Sequence, residues 1–204
     1  MIAIIDYDAG NIKSVEKAFA YLGETPVVTR DPETILSADG VVLPGVGAFG
    51  DAMKKLQTYG LDRVVRECVD KDKPFLGICL GLQLLFEGSE ESPGVEGLHI
   101  LDGRIVKIPS DGGWKVPHIG WNSLQFPNRG HLFENLTENP YVYFVHSYYL
   151  QAADESIVTA TADYGVQIHA SVERGNLFAC QFHPEKSSDV GMQILTNYIK
   201  VVRG

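Results

Sequence analysis

A cysteine between two glycines is the first residue in this 204-residue chain whose setting suggests chemistry. Cys79 lies in Gly77-Ile-Cys79-Leu-Gly81, which follows a short apolar run and precedes a helical pattern. This spacing is the thiol version of the G-x-S-x-G turn, and glycines there remove Cβ atoms that would collide at a sharp strand-to-helix junction. At a helix N-terminus, unpaired N–H groups and the helix dipole favour a negative sulfur. We therefore predict that Cys79 is a nucleophile, whereas Cys68 and Cys180 lack this setting and are predicted to be core residues.

A histidine and a glutamate two residues apart supply the base that such a thiol needs. The segment His183-Pro184-Glu185 follows the apolar run at 178–182. Pro184 favours extended backbone at His183, and residues two apart in an extended chain point the same way. Glu185 can then hold one ring nitrogen of His183 while the other faces the thiol of Cys79. This requires both segments to end at one edge of a sheet, where open α/β sheets carry their sites.

A glycine-rich turn is the third element with chemical potential. Leu43-Pro-Gly-Val-Gly-Ala-Phe49 follows the third predicted strand, and its backbone N–H groups could complete an oxyanion hole with that of Leu80. An ordinary βα turn is the alternative interpretation. A dinucleotide fingerprint is not indicated, because it would follow the first strand, where Asp8-Ala-Gly10-Asn does not fit.

The elements that must position these groups alternate between strand and helix in the first half, which predicts right-handed crossovers and a parallel sheet. The second half is rich in short β runs with turn signals. We predict one domain over residues 1–204 with an α/β fold: a three-layer, open, mostly parallel sheet flanked by helices, with added antiparallel strands in the second half. Asn11 is a possible cap of the first helix. The predicted strands are Ile2–Tyr7, Thr25–Thr29, Gly40–Leu43, Pro74–Ile78, Ile100–Ile108, Tyr141–Leu150, Ser156–Thr161, Gln167–Glu173 and Asn176–Phe182; the predicted helices run from Asn11 to Tyr21, from Asp51 to Asp70 with a break near Tyr59, from Leu80 to Glu87 and from Asp189 to Val202.

The amino-acid composition limits which kinds of partner the protein binds and in which compartment we expect it. The net charge of −9 argues against nucleic acid or an anionic membrane as the main partner, because both require clustered positive charge. No apolar run is long enough to cross a bilayer. Three sparse cysteines suit a reducing compartment, so we expect a cytoplasmic protein. The six histidines show no metal-ligand spacing, and neither a metal nor another cofactor is expected.

These motifs together resemble the class I, or triad, glutamine amidotransferases. Pro117-His-Ile-Gly-Trp-Asn122, Tyr143-Phe-Val-His-Ser-Tyr148 and Gln181-Phe-His-Pro-Glu-Lys-Ser187 are, within that class, similar to the glutaminase subunits of imidazole glycerol phosphate synthases. The resemblance covers essentially the whole chain. It implies that Cys79 attacks the side-chain amide of glutamine and that His183, oriented by Glu185, moves the proton to the departing ammonia.

The resemblance also implies further residue roles. The backbone N–H groups of Val46 and Leu80 would hold the oxyanion, and a flip of one peptide in Pro44–Gly47 would switch this donor set. Positions that match the family's substrate contacts are Gly47, Gln83, Glu91, Ser147 and Tyr148; positions that match its partner interface are Asn11, Pro117, His118 and Lys186.

A partner protein follows from the same resemblance. The family implies a heterodimer with a (β/α)₈-barrel cyclase subunit. Ammonia would pass through that barrel to a phosphorylated aminoimidazole ribonucleotide and yield imidazole glycerol phosphate and aminoimidazole carboxamide ribotide.

Four alternatives stay open at this point. The glutaminase subunit of another synthase, such as pyridoxal phosphate synthase, would keep the three catalytic residues and differ in the acceptor. A cysteine peptidase or thiol hydrolase would cleave peptides or esters instead. A flavodoxin-like scaffolding subunit would have no chemistry, and a zinc enzyme would need ligand spacings that the histidines lack.

Overall fold

The computed structural model describes residues 1–110 and 112–204, and most of its strands belong to one sheet. The strands are β1 (Ile2–Ile5), β2 (Val27–Thr29), β3 (Gly40–Leu43), β4 (Phe75–Ile78), β5 (Gly103–Lys107), β6 (His118–Ser123), β7 (Tyr141–His146), β8 (Tyr148–Ala152), β9 (Val158–Asp163), β10 (Gln167–Arg174) and β11 (Leu177–Cys180). The α-helices are α1 (Ile12–Tyr21), α2 (Pro32–Ser37), α3 (Phe49–Thr58), α4 (Leu61–Asp70), α5 (Leu80–Gln83) and α6 (Ser188–Arg203).

Nine strands form the main sheet, in the order β2-β1-β3-β4-β11-β10-β8-β5, with β9 paired to β10. The strands from β2 to β11 pair in parallel, and those beyond β11 pair antiparallel. The remaining strands, β6 and β7, form a separate antiparallel pair. The predicted fold class is therefore confirmed, including the antiparallel additions in the second half.

The central parallel strands are short and buried on both faces. β1, β3, β4 and β11 are buried at every residue, as expected where helices cover both sides of a parallel sheet. Two apolar clusters, one on each face, hold these strands between the helices. The carboxyl ends of β3, β4 and β11 consequently lie side by side at one edge of the sheet.

Several element predictions were wrong in ways that matter for the site. The region Tyr141–Leu150 is two strands of different sheets, separated at Ser147, because the chain crosses from the β6–β7 pair to the main sheet there. The helix predicted for Leu80–Glu87 ends at Gln83, after four residues. The short helix α2 and the strand β6 were not predicted; α2 is capped by the Asp31 side chain, which accepts a hydrogen bond from the Thr34 N–H at 2.8 Å.

Within the described ranges, every helix is too short or too polar to cross a bilayer.

Candidate active site

The turn between β4 and α5 holds Cys79 in a conformation that its neighbours enforce. Cys79 has φ 56° and ψ −110°, a backbone geometry that non-glycine residues rarely adopt. A Cβ on Gly81 would lie 1.9 Å from the Leu43 carbonyl oxygen, and one on Gly77 would lie 2.9 Å from that of Gly81. Both flanking glycines are therefore required by space, as the motif predicted. The strained turn places the Cys79 sulfur above the sheet edge.

The helix that follows Cys79 gives the sulfur less help than the sequence suggested. Because α5 has four residues, its dipole amounts to a single turn, and the Leu80 N–H is already bonded to the Gly45 carbonyl at 3.3 Å. Gln181, a residue with no role predicted from the sequence, places its Nε2 3.7 Å from the Cys79 sulfur. Gln181 stands in the motif Gln181-Phe-His, so a signal was present, but periodicity alone assigns it no role.

The predicted base and its orienting carboxylate meet as expected. The Nδ1 of His183 lies 2.7 Å from the Oε1 of Glu185, and their side chains are 1% and 0% exposed. This bond leaves the Nε2 of His183, a buried atom with no conventional hydrogen-bond partner among the described residues, for the Cys79 thiol. Burial lowers the pKa of His183, but the adjacent Cys79 and Glu185 outweigh burial and raise it to about 9.

Strand register explains how residues so distant in sequence converge. β4 and β11 are parallel neighbours with Ile78 opposite Cys180, and the Cys79 N–H donates to the Cys180 carbonyl at 2.7 Å. Cys79 and His183 therefore both follow the carboxyl ends of adjacent strands. The structure brings together the three residues predicted as a catalytic triad.

Asn11 does not cap α1 with its side chain, which corrects the sequence prediction. The residue has φ 70° and makes no side-chain capping bond. Its Nδ2 instead donates to the Oε1 of Glu185 at 2.5 Å and lies 3.5 Å from the Nδ1 of His183. The β1–α1 turn thus delivers a second donor to the triad carboxylate.

The glycine-rich turn is in a conformation that presents no oxyanion hole. The Gly45 carbonyl points at the Leu80 N–H, and in a trans peptide the N–H of the next residue, Val46, points the opposite way. The Tyr7 hydroxyl donates to the Pro44 carbonyl at 2.9 Å and helps to hold this arrangement. Gly47 has φ 110°, which favours glycine there. Both predicted oxyanion donors are close together, but neither is offered to a ligand in this state.

A cleft of about 370 Å³ opens beside Cys79. All five predicted substrate contacts line it, together with the two oxyanion residues, Cys79 and Pro117. Its lining residues are Val46, Gly47, Cys79, Leu80, Gln83, Glu91, Pro117, Val145, His146, Ser147 and Tyr148. The carboxylate of Glu91 is held at the cleft by the Phe49 N–H, 2.8 Å from its Oε2. The cleft therefore combines a nucleophile and a carboxylate, with the buried His183–Glu185 pair behind the nucleophile.

Two buried histidines support the wall of this cleft, and the sequence reasoning assigned neither to that role. His118, on β6, lies opposite His146, on β7, with its Nδ1 3.0 Å from the Nε2 of His146. The Nδ1 of His146 lies 2.9 Å from the Tyr148 carbonyl, an acceptor, so that nitrogen carries the proton and the Nε2 accepts from His118. Burial lowers the pKa of His118 to about 4 and that of His146 to about 3.

The four residues predicted at a partner interface lie in different environments. Lys186 is exposed directly after the triad glutamate, Pro117 lines the cleft, and Asn11 is half-buried against the triad. His118 is 3% exposed and stacks on Tyr164, with 3.8 Å between ring centroids. Its side chain is thus a packed part of the cleft wall rather than an open surface group.

A possible metal-ligating group lies outside the cleft. In the described residues, Glu87, His99 and Asp102 bring one ligand atom each to within 4.8 Å of one another. Their side chains are largely exposed, and His99 is 3.5 Å from each carboxylate. None of the three lines the cleft beside Cys79.

Comparison with known proteins bears on the identity of this site. A model of the family described as glutamine amidotransferase class-I matches residues 3–201. The chain belongs to this family. The imidazole glycerol phosphate synthase subunit HisH of Moorella thermoacetica is 52% identical over 202 residues, which are 99% of this chain and 95% of that protein.

Two further class-I amidotransferase comparisons agree. The HisH subunit of Methanothermobacter thermautotrophicus is 49% identical over 203 residues and 100% of both chains. A crystal structure of a glutamine amidotransferase superposes with a TM-score of 0.77 over 100% of both chains at 17% identity, which supports the fold. The predicted family is confirmed.

Proposed function

We propose that this amidotransferase is the glutaminase subunit of an imidazole glycerol phosphate synthase. It hydrolyses glutamine to glutamate and ammonia and passes the ammonia to a (β/α)₈-barrel cyclase subunit, which makes imidazole glycerol phosphate and aminoimidazole carboxamide ribotide. The convergence of Cys79, His183 and Glu185 beside a cleft of substrate size carries the chemical part of this proposal. Identity of about half over the full length to HisH subunits carries the biological part.

The first half-reaction forms a thioester. His183 takes the Cys79 proton, and the sulfur attacks the carbonyl carbon of the glutamine side chain. The carbonyl oxygen becomes an oxyanion in the tetrahedral intermediate. His183 then gives its proton to the amide nitrogen, the C–N bond breaks and ammonia leaves. Glu185 stabilises the charged imidazole throughout through the 2.7 Å bond to its Nδ1.

The second half-reaction regenerates the enzyme. His183 takes a proton from water, and the hydroxide attacks the thioester carbonyl. The C–S bond breaks, glutamate leaves and the sulfur recovers its proton from His183. The two steps together consume one glutamine and one water and release one glutamate and one ammonia.

We infer the orientation of glutamine from the residues that line the cleft. Glu91 offers a carboxylate to the substrate's α-ammonium group, while Gly47, Gln83, Ser147 and Tyr148 surround the remainder of the amino-acid head. The side-chain amide then reaches toward Cys79.

The conformation of the glycine-rich turn indicates that the structure represents a resting state of the proposed enzyme. Catalysis requires the Gly45–Val46 peptide to rotate, so that the Val46 N–H replaces the Gly45 carbonyl and the Leu80 N–H is released. One oxyanion donor is worth about 3–4 kcal/mol, or roughly 10²–10³ in rate. We infer that the cyclase subunit, when it holds its ligand, favours the rotated peptide, and that the glutaminase is nearly silent without it.

The partner binds at the rim around the cleft. The predicted interface residues are Asn11, Pro117, His118 and Lys186, of which Pro117 lines the cleft and Lys186 carries the exposed charge. The three free cysteines are buried thiols, which suits assembly in the reducing cytoplasm.

Replacement of the nucleophile tests the proposed function. Cys79→Ala in the complex with the cyclase is expected to abolish glutamine-dependent synthesis and to leave ammonia-dependent synthesis intact, because ammonia bypasses the thiol. Both rates are measured as formation of imidazole glycerol phosphate. Loss of both, in a complex that still assembles, would contradict the division of labour between the subunits.

A further inference from the structure

A buried glutamine side chain, that of Gln181, lies beside the nucleophile Cys79 and has no role in the mechanism described above. Gln181 follows β11 directly and lies next to Cys79, because the Cys79 N–H bonds to the carbonyl of the preceding residue, Cys180. Its side chain is 0% exposed, and its Nε2 lies 3.7 Å from the Cys79 sulfur. That separation suits an N–H···S hydrogen bond. The amide touches the reacting atom, yet it does not line the cleft.

The orientation of this amide is fixed by a chain of hydrogen bonds that begins at a backbone carbonyl. The Tyr148 carbonyl can only accept, so the atom of Gln83 that faces it, at 3.2 Å, must be the NH₂ group. The second hydrogen of the same NH₂ group goes to the Oε1 of Gln181 at 2.9 Å. With its oxygen so engaged, Gln181 must present its own NH₂ group to the sulfur.

We propose that Gln181 is a catalytic residue that stabilises the thiolate form of Cys79 through this hydrogen bond. The reaction in which the thiolate acts is the proposed glutamine hydrolysis, on which the inference rests. In the first half-reaction the donor favours the ionised nucleophile. In the second, the sulfur departs from the tetrahedral carbon, and a donor that stabilises the departing thiolate speeds that step.

The titratable groups around the Cys79 sulfur show how the role of Gln181 differs from that of His183 and Glu185. His183, backed by Glu185, faces the sulfur with a proton that it gains and loses. The other titratable groups around Cys79 are the hydroxyl of Tyr7, the thiol of Cys180 and the imidazole of His146. Burial raises the pKa of both Tyr7 and Cys180, so both stay neutral, and burial keeps His146 neutral as well. Gln181 is therefore the fixed neutral donor in this set.

The pH dependence of Cys79 alkylation tests the proposal without glutamine or partner. The full chain is treated with iodoacetamide across a pH series, and modification is followed on the peptide that contains Cys79 by mass spectrometry. Gln181→Met keeps the length of the side chain and removes the donor. Gln181→Glu keeps the shape and the acceptor for Gln83 and adds negative charge.

The alkylation midpoint is expected to rise by about 1–2 pH units in Gln181→Met and further in Gln181→Glu. This range follows from the worth of a hydrogen bond to a charged group, and it makes alkylation roughly 10–100-fold slower at any pH below the wild-type midpoint. The plateau rate at high pH should match the wild type, since the thiolate is then fully formed. Gln167→Glu, the same change at the exposed start of β10, is the control and should leave the midpoint unchanged.

An unchanged midpoint in Gln181→Met would overturn the proposal, and so would a lower plateau at an unchanged midpoint, which indicates a packing role. Circular dichroism establishes that each variant is folded. If either Gln181 variant unfolds, Gln83→Met in the otherwise intact chain tests the same bond. Without its anchor the Gln181 amide can turn its oxygen to the sulfur, and the midpoint must still rise. A raised midpoint in a protein whose complex with ligand-loaded cyclase hydrolyses no glutamine would refute the proposed function and leave only the hydrogen bond from Gln181 to the Cys79 thiolate standing.

Discussion

Replacement of the triad carboxylate by its amide, Glu185→Gln, isolates the charge that the site uses. The variant keeps an oxygen for the Nδ1 of His183 and for the Nδ2 of Asn11, so the two hydrogen bonds at 2.7 and 2.5 Å can persist. The Glu185 side chain is fully buried and absent from the cleft lining, so substrate contacts are unaffected. What the variant lacks is the negative charge that stabilises imidazolium.

The size of the effect follows from the protonation of His183. Burial lowers its pKa, yet Cys79 and Glu185 together bring it from 6.5 to about 9. That net rise corresponds to roughly 3 kcal/mol in favour of the charged ring, at about 1.4 kcal/mol for each pH unit. Loss of the Glu185 share, with burial still acting and only Cys79 opposing it, should lower the pKa of His183. Because charged His183 forms in both half-reactions, we expect kcat to fall about 10²-fold and KM to change less than about twofold.

The assay is glutamate release by the complex with ligand-loaded cyclase, alongside an NMR titration of the His183 ring. The matched control is Glu173→Gln, because Glu173 forms the same kind of bond with His131 on the surface. The control should retain kcat within about twofold. Near-wild-type kcat in Glu185→Gln, with the His183 ring still titrating near pH 9, would refute the assigned role of the carboxylate.

Three further perturbations have defined outcomes. Asn11→Ala removes the second donor to the Glu185 carboxylate, and kcat is expected to fall about 5–10-fold with unchanged KM. A fall in kcat together with an equal rise in KM would assign Asn11 to substrate binding instead. Gly81→Ala places a Cβ 1.9 Å from the Leu43 carbonyl oxygen, so the free energy of unfolding in urea should drop by several kcal/mol, and a stable variant would mean that the turn can relax. His118 and His146 have pKa values of about 4 and 3 when folded against 6.5 when unfolded, so the unfolded chain binds more protons and stability falls as the pH drops below 6.5. Between pH 6.5 and 4 each histidine contributes about 1.4 kcal/mol per pH unit to that loss. His118→Gln should therefore remove about half of the slope that the pair gives to a plot of urea unfolding midpoint against pH. An unaltered slope would assign the loss of stability to other groups.

The parallel half of the fold and the convergence of Cys79, His183 and Glu185 were predictable from the sequence because both depend on local patterns. Apolar runs that end in glycine, proline or histidine indicate the strands, and Gly77 and Gly81 predict the tight turn at Cys79. The end of the strand at Ser147 was not predictable in this way, since an unbroken apolar run there serves two sheets. Neither was the direction of the Gly45 carbonyl, because a peptide between glycine-rich residues has two accessible orientations and sequence does not choose between them.

Asn11 and Gln181 show a second limit on inference from sequence. A polar residue before a helix is most simply interpreted as a cap, and a glutamine in an apolar strand end carries no periodic signal. Their partners, Glu185 and Cys79, are brought near by the parallel register of the sheet rather than by spacing along the chain. Long-range contacts of this kind decide which ambiguous polar side chains become part of a site.

The two halves of the site differ in how they can be switched. The acid–base half is buried and joined by the bond between His183 and Glu185, and breaking a buried charged pair costs about 3–5 kcal/mol, so the ring of His183 is held in place with or without substrate. The oxyanion half is a single peptide at a glycine-rich turn, and its Gly45 carbonyl accepts a 3.3 Å bond from the Leu80 N–H whose net worth is about 1 kcal/mol. A partner that supplies a few kcal/mol of differential binding can therefore reverse the peptide but not dismantle the triad. Regulation of the proposed glutaminase should consequently appear in transition-state stabilisation, with kcat changing far more than the alkylation midpoint of Cys79.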